Sequence, residues 1–176
     1  MNETLLLDRV QAGQSSALEE LYDAYSKPLY QYALSLLWSK QDAEDAVQNV
    51  FVKLVGMIRG GRSRIEDLKN YLYRAARNEA LTIRTRRQMG RDVEKARTEG
   101  AVMEAAPEAD PLAAAQVEEA LARLPVEQRE VIVLKLYHEF TFAEIAELAG
   151  EKLNTVASRY KYGIAKLEQW VRDKRV

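Results

Sequence analysis

The chain predicts an all-α fold: two small helical domains joined by a flexible linker. Three observations carry this. Apolar residues make up 47% of the 176 residues, enough to build real cores rather than a disordered chain. Only 8 glycines and 4 prolines are present, which favours long helices over turn-rich β structure. Apolar positions recur at spacings of three and four in two blocks, and the acidic stretch between the blocks has no period. No strand pattern stands out, and there is no internal repeat beyond the two helical blocks.

The first block predicts three helices. Leu18, Leu21, Tyr22, Tyr25, Leu29, Tyr32, Ala33 and Leu36 mark one over 15–39, with Pro28 expected to kink or briefly break it. Asp42 is expected to cap the next. Its stripe is Ala43, Ala46, Val47, Val50, Phe51, Leu54, Val55 and Ile58, and Gly60-Gly61 should end it. The loop RSRIED then leads to a third helix over about 66–87. Its buried side is expected to be Leu68, Tyr71, Leu72, Ala75, Ala76 and Ile83. Arg74, Arg77 and Arg84 fall on the other side, within about a quarter-turn of one another.

From 90 to 111 the segment GRDVEKARTEGAVMEAAPEADP is acidic, alanine-rich and broken by proline, which reads as a linker. It divides the chain into domains over 1–89 and 112–176. The second domain starts near Pro111, since proline suits a helix start. Ala113, Val117, Ala120, Leu121 and Leu124 make its first helix. After Pro125 a second follows, with Val131, Ile132, Leu134 and Leu136 expected inside.

Composition excludes several function classes. With no cysteine there is no disulfide or thiolate site, and a single histidine, His138, makes a histidine-based zinc site implausible. No cofactor is implied. No nucleophile–base pair or phosphate loop points to an enzyme, and no small-molecule substrate is expected. His138 reads as a partly exposed residue at a helix end, and Trp38 and Trp170 as packing residues. The start, MNETLLLDRVQAGQ, lacks a basic n-region, and no apolar run approaches a membrane span. A cytoplasmic protein without membrane insertion is expected.

The net charge of −1 conceals blocks of alternating sign. Residues 59–91 carry 10 basic and 3 acidic side chains, and residues 151–176 carry 7 and 3. Residues 1–58 carry 4 basic and 8 acidic, and 117–150 carry 3 and 7. Each half therefore holds one cationic block on which a polyanion could sit.

The second cationic block follows a helix-turn-helix pattern. Thr141 can cap a short helix, with Glu144 as its capping-box partner. Ile145 and Leu148 face inward, and Ala146 is small where two helices should cross. Gly150 stands at the turn, and Val156 can anchor the second helix. Asn154 is a good cap for that helix. Its outward side offers Ala157, Ser158, Arg159, Lys161, Tyr162 and Lys166. In such motifs the N-terminal end of the second helix enters the major groove. Ser158, Lys161 and Tyr162 suit base edges, and Arg159 and Lys166 suit phosphates. A helical hairpin with a solvated basic face accounts for the same pattern, as does a DNA-binding regulator whose first domain senses a ligand or dimerises.

Three motifs resemble the small group IV, extracytoplasmic-function-type RNA polymerase sigma factors of the sigma-70 family. LPVEQREVIVLKLYHEFTFAEIAELAGEKLNTVASR resembles the family's region 4, with TVASR similar to its TVxSR signature. DAEDAVQNVFVKL resembles DAEDxxQxxFxxL, and NYLYRAARNEALTIRTRR resembles the region 2.3–2.4 helix. The likeness covers about residues 15–89 and 112–170. It implies a sigma region 2-like bundle, a sigma region 4-like helix-turn-helix, and a protein that selects promoters for core RNA polymerase. Asp45, Gln48 and Asn49, flanked by Asp42 and Glu44, would dock on the polymerase clamp coiled coil. A solvated acidic face explains those residues equally well, and Phe51 reads as core.

By the same resemblance, the loop Gly60–Glu66, with Arg62 and Arg64, would hold a flipped base of the −10 element. Asn70, Tyr71, Tyr73, Arg74, Arg77, Asn78 and Arg84 would follow the single strand, aromatics stacking and arginines tracking phosphates. Tyr71 serves equally as a core residue. Arg86 and Arg87 would add nonspecific phosphate attraction. Thr155, Ala157, Ser158, Arg159, Lys161, Tyr162 and Lys166 would meet the −35 element. An anti-sigma factor is an implied partner, and regulation is expected to come from another protein or from expression level.

The chain departs from the family at the turn. Glu151 stands where an apolar residue is usual, and Leu153 where a polar one is common, so the two are expected to exchange roles. Ala157 replaces a residue that is often basic or polar.

Overall fold

The computed structural model of the chain describes residues 3–60, 65–89 and 111–174, with side chains in the last stretch described from 115 to 173. Arg62, Arg64, Gly61 and the linker over 90–110 lie outside the described residues. Eight α-helices and no strand are found among the described residues. The chain divides into two compact units, Met1–Glu99 and Gly100–Val176.

In the first unit, α2 (Ser15–Leu37), α3 (Lys40–Arg59) and α4 (Leu68–Met89) pack against one another, and α1 (Glu3–Gln11) covers α2 and α3. The sequence reading missed α1. It buries only Leu6 and Val10, one turn apart, too short a pattern to separate from chance. Tertiary contacts hold it: Arg9 pairs with Glu20 at 2.9 Å, and Tyr25 donates its hydroxyl to Glu3. Gly13, at φ 81°, turns the chain into α2.

Pro28 does not break α2, which runs on to Leu37. A proline inside a helix costs about 3 kcal/mol. Leu21, Leu29, Tyr32 and Ala33 are all fully buried on either side of it. At roughly 1.5–3 kcal/mol for each large apolar side chain, their burial outweighs one lost hydrogen bond.

Capping of α3 also differs from expectation. Ser39, not Asp42, is the cap: its Oγ accepts the Asp42 N–H at 3.3 Å. Asp42 stands one turn inside, where a negative charge meets the positive end of the helix dipole. The apolar stripe is buried as read, apart from a half-buried Val55. Gly60 ends α3 in right-handed geometry, φ −76°, rather than as a left-handed cap.

Helix α4 begins at Leu68, after the Asp67 carboxylate accepts the Asn70 N–H at 2.8 Å. Its buried side is Leu68, Leu72, Ala76 and Ala80 at intervals of four, joined by Asn70 and Tyr73. Tyr71, Ala75 and Ile83, expected inside, are only half-buried. The face turns because the Tyr73 ring packs on Tyr32 of α2, centroids 5.3 Å apart.

In the second unit, α8 (Leu153–Lys174) packs against α5 (Pro111–Ala122), α6 (Val126–Leu136) and α7 (Phe142–Ala149). Val131 to Leu134 are all buried, whereas Leu136 is 55% exposed, contrary to expectation. Val117 also faces outward, while Ala120, Leu121 and Leu124 carry the packing around α5. Buried Arg129 donates Nη1 to the carbonyls of Leu121 and Ala122, capping the end of α5. His138 is buried rather than partly exposed, packed in the connection after α6.

Candidate nucleic-acid interface and docking face

The helix-turn-helix is built from local hydrogen bonds. Thr141 Oγ1 accepts the Glu144 N–H at 3.2 Å, and the Glu144 carboxylate accepts the Thr141 N–H at 2.6 Å. Gly150, at φ 68° and ψ 34°, reverses the chain, and the Glu151 N–H then donates to the Ala146 carbonyl at 2.9 Å. This left-handed glycine cap satisfies carbonyls that the end of α7 would leave open. Ala146 and Val156 are buried where α7 and α8 meet. Phe142 packs edge-on against Tyr160 at 5.2 Å.

Two expectations at the turn need correction. Val156 N–H donates to the Lys152 carbonyl at 3.1 Å, and α8 begins at Leu153. Lys152 therefore holds the cap position, and Asn154 lies exposed inside the first turn. Nor do Glu151 and Leu153 exchange roles. Leu153 is 51% exposed, because Ile145, Leu148 and Val156 already fill the space beneath the turn. The Glu151 carboxylate instead lies 2.9 Å from Arg159 Nη2.

On α8, Ser158, Lys161, Tyr162 and Lys166 are exposed, and Thr155, Ala157 and Arg159 are half-buried. Asn154 and Ala165 join Ser158 and Lys161 at helical spacing on one outward face. Gly163 lies on the opposite side, against α6. A Cβ there would come within 2.6 Å of Ile132 Cδ1. Glycine thus lets α8 lie close on α6 with its polar face outward.

In the first unit, α3 turns Glu44, Asp45, Gln48 and Asn49 outward. Val52, 71% exposed and not singled out by the sequence reading, continues the line Asp45, Gln48, Asn49 one turn further. Beside it runs an open groove of about 450 Å³, lined by Tyr22, Ser26, Lys27, Tyr30, Glu44, Val47 and Gln48. Its α2 wall went unread because Tyr22 fits the apolar stripe of α2. In the structure Tyr22 is 47% exposed, with its ring 4.9 Å from that of Phe51.

Asp42 does not stand with the outward residues. Its carboxylate pairs with Arg87 at the far end of α4, and Arg87 also donates to Ser39 Oγ at 3.1 Å. Both side chains are thus engaged within the unit rather than presented to partners. Asn49 donates to Glu79 at 3.4 Å, and Lys53 pairs with the same carboxylate.

On α4 the candidate DNA contacts divide. Arg74 and Asn78 are exposed, and Tyr71, Arg77 and Arg84 are half-buried. Tyr73 is 3% exposed and Asn70 9%, so neither offers a face to a base, which corrects that expectation. Burial raises the hydroxyl pKa of Tyr73 and of Tyr71, with Lys53 partly offsetting the shift at Tyr71.

A helix-turn-helix with a polar, basic outward face in one unit, and a helical bundle with a cationic helix in the other, define a two-part DNA-binding protein. The chain belongs to the extracytoplasmic-function (ECF) RNA polymerase sigma factors of the sigma-70 family. Residues 21–89 match Sigma-70 region 2, and residues 114–167 match Sigma-70, region 4. Among its relatives, the ECF sigma factor SigM of Mycobacterium tuberculosis is 31% identical over 172 residues, 94% of this chain and 82% of that protein. SigW of Bacillus subtilis is 29% identical over 181 residues, 95% of each chain. The solved sigma factor RpoE of Bartonella quintana, in complex with the anti-sigma factor NepR, has a similar fold. It matches with a TM-score of 0.71 and 24% identity, over 88% of this chain and 96% of that one. As a member of this family, the protein binds RNA polymerase and directs promoter-specific initiation of transcription. None of its described helices is long and apolar enough to cross a membrane.

Proposed function

We propose that three surfaces divide the work of this sigma factor. The outward line of α3, Asp45, Gln48, Asn49 and Val52, docks on core RNA polymerase together with the adjoining α2–α3 groove. Glu44 lies at the groove's rim, and Asp42 acts from within. Helix α4 and the residues before it, Arg62 and Arg64 among them, engage the −10 element. There Tyr71 provides the stacking face, and Arg74, Arg77, Asn78 and Arg84 follow the backbone. Helix α8 reads the −35 element through Ser158, Lys161 and Tyr162, with Thr155 and Ala157 close to the bases. Arg159 and Lys166 meet phosphates.

Residues 1–89 and 112–176 act as the two promoter-binding domains, tethered by 90–111. The protein works in the cytoplasm without catalytic chemistry or a cofactor of its own. Like the Bartonella quintana factor, which is solved in complex with an anti-sigma factor, it takes an anti-sigma partner. The observation that carries this reading is the helix-turn-helix, whose capping box and glycine turn leave the polar, basic side of α8 exposed.

Run-off transcription with purified core enzyme on genomic fragments tests it. Discrete start sites should depend on the protein. Asp45→Arg with Gln48→Ala should weaken core binding at least about tenfold, since truncating central contacts of an interface costs upwards of ~1–2 kcal/mol. Undiminished core binding by that variant would remove α3 as the docking helix.

A further inference from the structure

The turn of the helix-turn-helix holds an ion pair that the DNA-binding reading leaves idle. Glu151 follows Gly150, and its backbone is pinned by the bond to the Ala146 carbonyl. From that fixed position its Oε1 lies 2.9 Å from Nη2 of Arg159, two turns into α8. Arg159 sits on the flank of α8, between the outward face of Ser158 and Lys161 and the packed side of Val156. The two side chains are 25% (Arg159) and 34% (Glu151) exposed, so the pair lies at the edge of the recognition surface and reaches water.

We propose that Glu151 is a specificity-determining residue: its carboxylate competes with DNA phosphate for Arg159. This rests on the assignment of α8 to promoter DNA. Phosphate contacts dominate binding to any sequence and carry no base information. A guanidinium already matched by an internal carboxylate contributes little to a loose encounter with arbitrary DNA. The carboxylate itself, held beside the duplex, adds repulsion there, and a repulsive element of this kind sharpens discrimination. An exposed ion pair is weak, so it yields when the base contacts of Ser158, Lys161 and Tyr162 seat α8 in its own site. Arg159 then adds its phosphate contact only to the correct complex. A glutamate at this turn thus exchanges general affinity for selectivity.

The test uses holoenzyme reconstituted from the full chain and core enzyme. Anisotropy over a range of salt concentrations is read on a promoter duplex mapped by run-off and on a scrambled duplex. Glu151→Gln keeps the size of the side chain and removes its charge. It should bind scrambled DNA about two- to fivefold tighter, the range set by a weak surface pair. Its log K against log salt slope should steepen by about 0.9, the value of one phosphate contact. Promoter affinity should change less, so selectivity falls. Arg159→Ala should abolish that gain in the Glu151→Gln background, and should weaken the binding of scrambled DNA less when Glu151 is present.

Unchanged scrambled-DNA affinity and slope in Glu151→Gln would overturn the competition. So would an equal effect of Arg159→Ala in both backgrounds. The underlying assignment of α8 fails by a different result: Ser158→Ala with Lys161→Ala leaving promoter affinity intact.

Discussion

Tyr71 and Tyr73 lie two positions apart on α4 and have opposite environments. Tyr73 is buried against Tyr32, and Tyr71 keeps part of its ring at the surface. Truncating a fully packed aromatic costs about 3–5 kcal/mol through lost transfer energy and the cavity left behind. Tyr73→Ala should therefore lower the melting temperature of the first unit sharply. Tyr71→Ala should leave it nearly unchanged. If Tyr71 stacks on a −10 base, its loss should weaken promoter opening by ~1–3 kcal/mol, about five- to 150-fold, read by permanganate reactivity of the open complex. Equal melting temperatures for the two variants would show that the ring environments are misassigned. The sequence alone could not rank these two tyrosines. Both fit a helical stripe within one turn, and the choice is made by a ring on another helix. Asp42 and Arg87 show the same limit. Each reads as a surface charge by its own neighbours, and their pairing spans nearly the whole of α3 and α4. Local spacing carries no record of such a partner.

Helix α7 was legible because its boundaries are written locally. Thr141 and Glu144 satisfy each other's backbone groups, and Gly150 adopts the left-handed conformation that its position requires. Helix α1 and the buried face of α4 were not legible, because their placement is decided by tertiary packing. Gly163 lies between these cases. Within a helix, glycine is about 1 kcal/mol worse than alanine, so propensity alone favours replacing it. The packing against α6 argues the reverse. An added Cβ would stand 2.6 Å from Ile132 Cδ1 and 3.4 Å from Gln128 Cβ, and Ile132 is 1% exposed with little room to move. Overpacking of this kind costs about 1–3 kcal/mol. Gly163→Ala should therefore destabilise the second unit despite the better helix former. Ile132→Val, which removes the clashing methyl, costs about 0.5–1.5 kcal/mol alone but should restore stability in the Gly163→Ala background. Chemical denaturation of the four proteins measures that coupling. Simple additivity would mean that Ile132 does not set the approach of α8 to α6.

At the scale of the whole molecule, the two cationic blocks ask whether one chain can engage both promoter elements at once. Elements about 25 base pairs apart are separated by roughly 85 Å at ~3.4 Å per base pair. The 90–111 segment spans at most about 75 Å at ~3.4 Å per residue, and with each ~25 Å domain centred on its element the two facing halves add only about 25 Å. Two-site engagement is then feasible with the segment largely extended. A tether near its limit responds asymmetrically to changes in length. Adding about ten Gly/Ser residues increases the closure entropy only slightly, since even doubling a flexible loop costs about 0.6 kcal/mol. Removing about ten residues takes away ~34 Å of reach, which no conformational entropy can replace. Run-off transcription from a mapped promoter should therefore fall less than about threefold on lengthening and at least about tenfold on shortening, with core binding unchanged in both. A comparable loss on lengthening would mean that the segment contributes specific contacts beyond its length. Full activity on shortening would mean that the two domains engage the promoter with slack to spare, so that the acidic segment acts through its charge instead.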